Sequence, residues 1–228
     1  MVAARDEAAT IEATLAGRRR AAPEARVWVA DDGSRDATFA LAEAGGAAVV
    51  SSAARRGKGQ AMTDAVLAAL EAEGAAADDA LFVLCDGDLG ASAALLGALA
   101  DAALGPLGSE DDDGRERMAV AVFARSRGGG LGIALGFARL AVRRRAGLRL
   151  EAPMSGQRAL RGRTLRRVLP FADGFGMELG MALDAARAGV EIAEVRLDLA
   201  HRARGRTPAG FAHRARQLAG MVCAYRRR

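Results

Sequence analysis

The chain has 228 residues, of which 51% are hydrophobic and 27% charged, a composition typical of globular rather than disordered proteins. No apolar run approaches the roughly 18 residues that cross a bilayer, and no signal-peptide pattern follows Met1, so we expect a soluble, cytoplasmic protein. The net charge is +5 and comes almost entirely from arginine, because Lys58 is the only lysine.

The first half of the chain alternates strand and helix patterns. Strands are predicted at 1–4, 26–31, 47–52 and 81–86, and helices at 8–20, 36–44, 58–72 and 92–103. This rhythm predicts an α/β fold, a mostly parallel twisted sheet flanked by helices, with its site at the carboxyl ends of the strands. Only four residues precede Arg5, which predicts either a mis-assigned start or a stunted first strand.

The second half is more mixed. The acidic segment 109–117 is predicted to be a loop, and strands are predicted at 118–125, 157–160 and, as an edge or mixed strand, 191–199. Helices are predicted at 131–145, at 175–189 and from Pro208 onward, the last with an apolar face opposite its arginines. No linker interrupts the pattern, so we expect a single domain over 1–228. Cys85 and Cys223 lie too far apart in sequence to indicate a disulfide framework or a zinc site.

The predicted strand LFVLCD runs directly into the acidic turn Asp86-Gly87-Asp88. Uncompensated carboxylates at the end of a buried strand are costly, so they predict a positive partner. Two acids at i and i+2 can both face one Mg²⁺ or Mn²⁺ that also binds a diphosphate. The alternative is an Asp-Gly turn followed by a helix that Ser92 caps.

Two further segments end or follow strands. In ADDGSRDAT, either Asp32 or Ser34 is a candidate cap for the next helix, and a carboxylate here can also bind a ribose or a base. In ARRGKGQAM, Lys58 lies between two glycines where a helix is predicted to begin. Free N–H groups and the helix dipole at that position favour an anion, although the spacing is not that of a Walker loop.

Taken in order, ARDEAATI, DDGS-x-D, RGKGQAM and CDGDL resemble nucleotide-sugar glycosyltransferases of the GT-A fold, family 2 type. The later segments APMSGQRALRG, PFADGFGMELGMALDAARAG and EIAEVRLDLAHRARGR are similar to the acceptor half of these enzymes, especially the glucosyl-3-phosphoglycerate synthase and polyprenyl-phosphate glycosyltransferase groups. The resemblance covers nearly the whole chain. It implies a nucleotide-binding half at 1–90 and an acceptor-binding half at 91–228.

The resemblance also implies a role for each matching position. The implied nucleotide-binding residues are Ala4, Arg5, Glu7, Asp32, Lys58 and Asp86. The implied ligands of Mg²⁺ or Mn²⁺ are Asp88, Asp86 and His201. The implied acceptor-binding residues are Gly129, Gly130, Gly156, Gln157, Arg158 and Arg202. The catalytic residues would be Asp88 and Glu178, with Glu178 as the general base of an inverting reaction or as the group that orients the acceptor or His201 in a retaining one.

The partners that follow are a nucleotide-sugar donor, with UDP-glucose favoured, and a phosphorylated small-molecule or lipid-phosphate acceptor. Peripheral contact with the inner membrane face through the basic C-terminal helix and a homodimer are compatible with this interpretation. Aromatic residues make up 4% of the chain and form no stacking platform, so nucleic acid is not an expected partner.

Two other classes of protein fit parts of the pattern. The glycine loop at 128–136 follows a predicted strand, and Glu151 comes about 20 residues later, which loosely matches an NAD(P)-binding oxidoreductase. That interpretation gives Asp86, Asp88 and Lys58 no role. The arginine-rich tail alone is also compatible with a non-catalytic module that binds an anionic membrane surface.

Overall fold

The computed structural model describes residues 1–105, 116–124, 132–200 and 208–228. In chain order the elements are β1 (Val2–Ala4), α1 (Ile11–Ala21), β2 (Trp28–Asp31), α2 (Thr38–Ala44), β3 (Ala48–Ser51), α3 (Lys58–Glu73), β4 (Leu81–Asp86), α4 (Gly97–Leu104), β5 (Arg117–Phe123), α5 (Ile133–Ala146), β6 (Arg158–Arg161), α6 (Gly162–Arg167), α7 (Met177–Arg187), β7 (Glu191–Leu197) and α8 (Pro208–Arg227). Short 3₁₀ helices cover Gly74–Asp78, Gly90–Leu96 and Gly174–Gly176.

The strands of this part of the chain form one seven-stranded sheet in the order β3-β2-β1-β4-β6-β5-β7. Strands β1 to β4 are parallel to one another, whereas β6 is antiparallel to both of its neighbours, β4 and β5. Strand β7 lies at the edge and is parallel to β5. The predicted α/β fold with a mostly parallel sheet flanked by helices is confirmed.

The core lies on both faces of the sheet, as strand β4 illustrates. Phe82 and Leu84 pack with α3, α6 and α7 on one face, and the alternating Val83 and Cys85 pack with α1 and α4 on the other. This is why LFVLCD reads as a continuous apolar run, since a strand covered on both sides needs apolar residues at every position. A third cluster joins α5, α7 and α8.

One predicted helix differs from the observed one. The sequence predicts a continuous helix over 92–103, whereas the structure has a 3₁₀ helix over Gly90–Leu96 that leads into α4. Gly90 has a φ of +55°, a left-handed conformation that glycine adopts without steric penalty, so this segment begins inside the acidic turn itself. Ser92 is not its cap, because the Ser92 hydroxyl donates to Leu89 O at 2.7 Å.

The C-terminal helix packs against the protein. Met221 and Ala224 are buried, and the Tyr225 ring meets Phe137 edge to face at 5.9 Å, with the Arg145 guanidinium 4.6 Å above it. The apolar side chains of this part of α8 therefore face α5 and α7. None of the described helices is long and apolar enough to cross a membrane.

Candidate active site

The carboxyl ends of β1, β2 and β4 lie side by side at one edge of the sheet. In the register of these parallel strands, Ala4 lies opposite Asp31, and Ala3 lies opposite Asp86. The loops that follow the strands therefore start from a common edge, which is where ligand sites form in such sheets. This places the predicted donor-binding segments 4–11, 30–38 and 81–90 together.

The acidic turn is held tightly at this edge. The Gly87 N–H donates to Ala3 O at 2.8 Å, so the turn is anchored to the neighbouring strand β1. A side chain at Gly87 would lie 3.1 Å from the same oxygen, which explains the glycine there. Asp88 follows and is partly buried. The backbone that carries the predicted metal ligand is thus fixed by the sheet.

A cluster of charged side chains lies beside the turn. The Lys58 ammonium contacts Asp86 Oδ1 at 2.5 Å and Glu178 Oε1 at 2.6 Å, and the Gln157 amide donates to Asp86 Oδ2 at 2.7 Å. Burial on its own would lower the pKa of Lys58, but the two carboxylates outweigh burial and raise it above its ordinary value. Lys58 is therefore a permanent cation that joins a residue of the first half of the chain to one of the second.

Gly156 covers this cluster. A Cβ atom at Gly156 would lie 2.7 Å from Lys58 Nζ and 2.8 Å from Asp86 Oδ2, so a side chain there would have to displace the ion pair. The backbone of the 155–157 segment therefore touches the ion pair directly. Gly156 and Gln157, both predicted to bind the acceptor, are brought next to Lys58 and Asp86, both predicted to bind the nucleotide.

Asp32, which with Ser34 was a candidate cap of α2 and is an implied nucleotide-binding residue, does not cap α2. Its Oδ1 accepts the backbone N–H groups of Arg56 at 2.6 Å and Gly57 at 2.8 Å, at the start of α3, and the side chain is buried. The N-cap of α2 is Ala37, and Asp36 just before it accepts Thr38 N at 3.0 Å. The Asp32 carboxylate therefore occupies the N–H groups of Arg56 and Gly57, just before α3, and an anion site at the first turn of α3 itself stays a prediction.

Strand β1 ends at a cationic cavity. Ala4 is buried and its carbonyl accepts the Asp32 N–H at 3.1 Å, whereas Arg5 lines a cavity of about 370 Å³. The Arg5 Nε is buried and has no hydrogen-bond partner among the described residues, with Asp6 Oδ2 at 3.9 Å. Glu7 N donates to Thr38 Oγ1 at 2.8 Å, so Glu7 joins this loop to α2. The other residues lining the cavity are Gly33, Ser34, Arg35, Ser52, Ala53, Ala54 and Arg55.

Arg158 does not have the position that an acceptor-binding side chain requires. Its guanidinium is 1% exposed and donates to Ser155 O at 2.9 Å and to Pro153 O at 3.0 Å. Burial lowers the pKa of Arg158 to about 10, with Glu178 partly opposing that shift. Arg158 therefore supports the 153–155 loop from inside. The predicted residues Gly129, Gly130, His201 and Arg202 lie outside the described residues.

Two residues near the turn were missed from the sequence. The Thr14 hydroxyl, on α1, bonds to both Gly87 and Gly90, and Ser92 accepts the N–H of Ala200, the residue that precedes His201. A polar residue on the apolar face of a helix is the signal that could have identified Thr14, since Ile11 and Leu15 beside it are buried. No such signal exists for Ser92.

This geometry does not support the alternative of an NAD(P)-binding oxidoreductase. Glu151, the acid that would bind a ribose, is half-exposed and forms an ion pair with Arg196 at 2.6 Å. Residues 128–131 of the glycine loop lie outside the described residues, and Gly132 and Gly136 belong to the N-cap and the body of α5. The charged residues that converge are those of the acidic turn and Lys58.

Comparison with known proteins gives a family match to the first part of the chain and a fold. Residues 1–106 match the model of glycosyl transferase family 2. No curated protein matches the chain. The solved structures that resemble it include several of glucosyl-3-phosphoglycerate synthase from Mycobacterium tuberculosis.

The complex of that enzyme with phosphoglyceric acid is 25% identical to the chain and gives a TM-score of 0.73, over 98% of this chain and 76% of that one. The complex with Mg²⁺ and UDP is 27% identical, with a TM-score of 0.72 over 98% and 75% of the two chains. The complex with Mn²⁺, UDP and phosphoglyceric acid is 26% identical, with a TM-score of 0.71 over 98% and 76%.

Proposed function

We propose that the chain is a glycosyltransferase of the family 2 type with the GT-A fold, and that it moves a hexose from a nucleotide diphosphate sugar to a phosphorylated acceptor. The observation that supports this most is the acidic turn 86–88 at the carboxyl edge of the sheet, beside the Lys58 ion cluster. Such an edge binds nucleotides in open α/β sheets. The charged groups of the cluster can contact a donor and an acceptor at the same time.

The acidic turn fits a divalent ion. The Asp86 and Asp88 carboxylates offer oxygen ligands at i and i+2, on a backbone that β1 fixes, and carboxylate oxygen is the ligand that Mg²⁺ and Mn²⁺ prefer. Asp88 would be the principal ligand, as the resemblance implies, and Asp86, which Lys58 and Gln157 hold in place, would be the second. His201 would complete the set. When bound, the ion stabilises negative charge on the leaving diphosphate.

The chain's own residues hold the reacting groups in place. Lys58 would supply a positive charge next to the donor diphosphate. Asp86 and Glu178 accept hydrogen bonds from its ammonium and hold it in position. If Glu178 accepted a proton, the Lys58 ammonium would keep only one of its two ionised carboxylates. This favours an orienting role for Glu178 over that of a general base, which suits a retaining reaction.

The donor and acceptor are proposed from the chemistry of the edge and from the similar enzyme. UDP is favoured because the solved complexes of that enzyme contain it, and its name describes a glucosyl product of phosphoglycerate. In this chain the arginines that line the cavity at the end of β1 would contact the nucleoside. The backbone of Gly129, Gly130 and Gly156, with Gln157 and Arg202, would receive the acceptor.

The proposal is tested by thermal unfolding followed by a transfer assay. UDP with Mn²⁺ should raise the midpoint of unfolding by several degrees, whereas ADP with Mn²⁺ or UDP with a chelator should not. Asp88→Asn should remove both this stabilisation and sugar transfer to 3-phosphoglycerate, with the protein still folded. Full transfer activity of Asp88→Asn in the presence of chelator would reject the proposed function.

A further inference from the structure

Thr14 is a buried hydroxyl at the back of the acidic turn. It is 0% exposed and lies on α1, between the core residues Ile11 and Leu15. Buried hydroxyls normally satisfy both their donor and their acceptor capacity. In this case both partners belong to the segment that carries Asp88.

The two hydrogen bonds of Thr14 bracket Asp88 in the chain. The hydroxyl donates to Gly87 O at 2.8 Å and accepts the Gly90 N–H at 2.8 Å. These partners are the residue immediately before Asp88 and the second residue after it. One side chain therefore fixes the backbone on both sides of the predicted metal ligand.

The next turn of α1 presses on the same segment. A Cβ atom at Gly17 would lie 3.0 Å from Ala93 Cβ, 3.0 Å from Ala94 N and 3.2 Å from Gly90 O. Helix α1 thus approaches the 3₁₀ helix over Gly90–Leu96 as closely as two backbones allow. Thr14 is held against the turn by this packing, so its hydroxyl has little freedom to move away.

We infer that Thr14 is a positioning residue for the divalent ion, because its hydroxyl sets the backbone from which Asp88 reaches the metal. This inference rests on the proposed function. Residues that orient metal ligands without touching the metal typically change metal affinity by about 10–100-fold when they are replaced. Valine has the shape of threonine without the hydroxyl, so Thr14→Val removes both bonds and keeps the volume.

Thr63 provides a matched control. It is a buried threonine on α3 whose hydroxyl donates to Gly59 O at 2.8 Å and accepts the Phe171 N–H at 3.1 Å. Thr63→Val therefore removes the same two kinds of hydrogen bond from the core. It should lower stability about as much as Thr14→Val does, without touching the acidic turn.

The experiment measures Mn²⁺ binding directly, by the spin-resonance signal of free Mn²⁺ in the presence of UDP. Thr14→Val should weaken Mn²⁺ binding by about 10-fold or more. Thr14→Ser, which keeps the hydroxyl, and Thr63→Val should both stay within about 3-fold of the unmodified protein, because neither loses the bonds to the turn. Measurements are made well below the unfolding midpoint of each variant, and Thr14→Ala replaces Thr14→Val if the latter does not fold.

Each contrary result has a separate meaning. Unchanged Mn²⁺ affinity in Thr14→Val, with binding lost in Asp88→Asn, rejects the positioning role and leaves the proposed function standing. Equal losses in Thr14→Val and Thr63→Val reject it too, since the effect is then one of general stability. If neither Thr14→Val nor Thr14→Ala folds, Thr14 is a folding residue only. Unchanged binding in Asp88→Asn overturns the proposed function itself.

Discussion

At the scale of single residues, Lys58 is the most constrained charge of the candidate site. Its ammonium lies between two carboxylates that are themselves only partly exposed, Asp86 at 35% and Glu178 at 12%. Bringing such acids together without a cation would be unfavourable, because partly buried like charges repel and lose hydration. Lys58 therefore contributes to folding as well as to the proposed donor contact.

We expect Lys58→Met to lower the free energy of unfolding by about 1–3 kcal/mol at pH 7, measured by urea titration. The sign of the pH dependence follows from the raised pKa of Lys58, whose stabilisation is present below its usual value of 10.5 and is lost only above it. The deficit of Lys58→Met should therefore be full at pH 7 and pH 9.

Lys58→Arg is the control, since it keeps the charge and should keep most of the stability. A deficit in Lys58→Arg as large as that in Lys58→Met would show that packing, rather than charge, is lost. The same titration with UDP and Mn²⁺ present separates the structural contribution of Lys58 from its proposed contact with the donor.

The sequence predicted some residues of the site well and others poorly. Asp86 and Lys58 could be placed together because the ends of parallel strands share an edge, which follows from the alternation of elements alone. Asp32 and Arg158 could not be placed, because their partners are backbone groups of loops. The choice between a ligand and a loop N–H or carbonyl depends on close approaches that no sequence pattern encodes.

At the scale of elements, the start of α3 is set by two glycines. Gly57 has a φ of +96°, and a Cβ atom at Gly59 would lie 2.0 Å from Ala172 O. The first turn of α3 therefore rests directly on the backbone of the segment that precedes α7. This contact brings Lys58 within reach of Glu178, so the ion pair depends on how closely the two elements approach.

Gly59→Ala should lower the free energy of unfolding by about 3 kcal/mol, because the new methyl group meets a backbone oxygen that cannot move alone. Gly136→Ala is the matched control, since Gly136 lies in a helix, has ordinary φ and has open space around it. That change should be neutral or stabilising by up to about 1 kcal/mol. Thermal unfolding of both variants checks this, and equal stability would contradict the close approach.

Most elements were predictable from periodicity, and the exception is informative. The prediction of a helix over 92–103 was wrong for its first part. Gly90 has a positive φ, and residues 90–96 form a 3₁₀ helix that packs against α1. Its amino-acid pattern is compatible with both helix types. Tertiary packing on α1 decides between them, and that information is not local.

At the scale of the whole molecule, the sheet joins two parts of different character. Strands β1 to β4 lie within the family match to residues 1–106, whereas β5 to β7 come from the later part of the chain. The parallel order of the first four strands follows from the right-handed crossover rule. The antiparallel insertion of β6 between β4 and β5 could not be predicted, since strand pairing over about 75 residues leaves no local signature.

The pair Lys58–Glu178 crosses between these parts, which suggests that it couples the proposed acceptor site to the donor site. Glu178→Gln keeps the shape of the side chain and removes its charge. We expect kcat/KM for the acceptor to fall by about 10–100-fold, because a misplaced reacting group loses the gain from orientation. The Kd for UDP with Mn²⁺, measured by calorimetry, should stay within about 3-fold, since Lys58 keeps its contact with Asp86.

Glu178→Asp, which retains the charge on a shorter side chain, should recover part of the acceptor kinetics. If Glu178→Gln instead weakens UDP binding as much as it lowers acceptor turnover, Glu178 belongs to the donor site and the two sites are not coupled through it.

The carboxylate that sits on the amide groups at the entrance to α3 has one more effect. Asp32 is tethered to its place, so its local concentration there is far above that of any free anion in solution. Inorganic phosphate or a released diphosphate would have to displace the Asp32 carboxylate, which is part of the chain, before it could bind those N–H groups. Asp32 is therefore an internal competitor at this position for the anions that the proposed reaction releases.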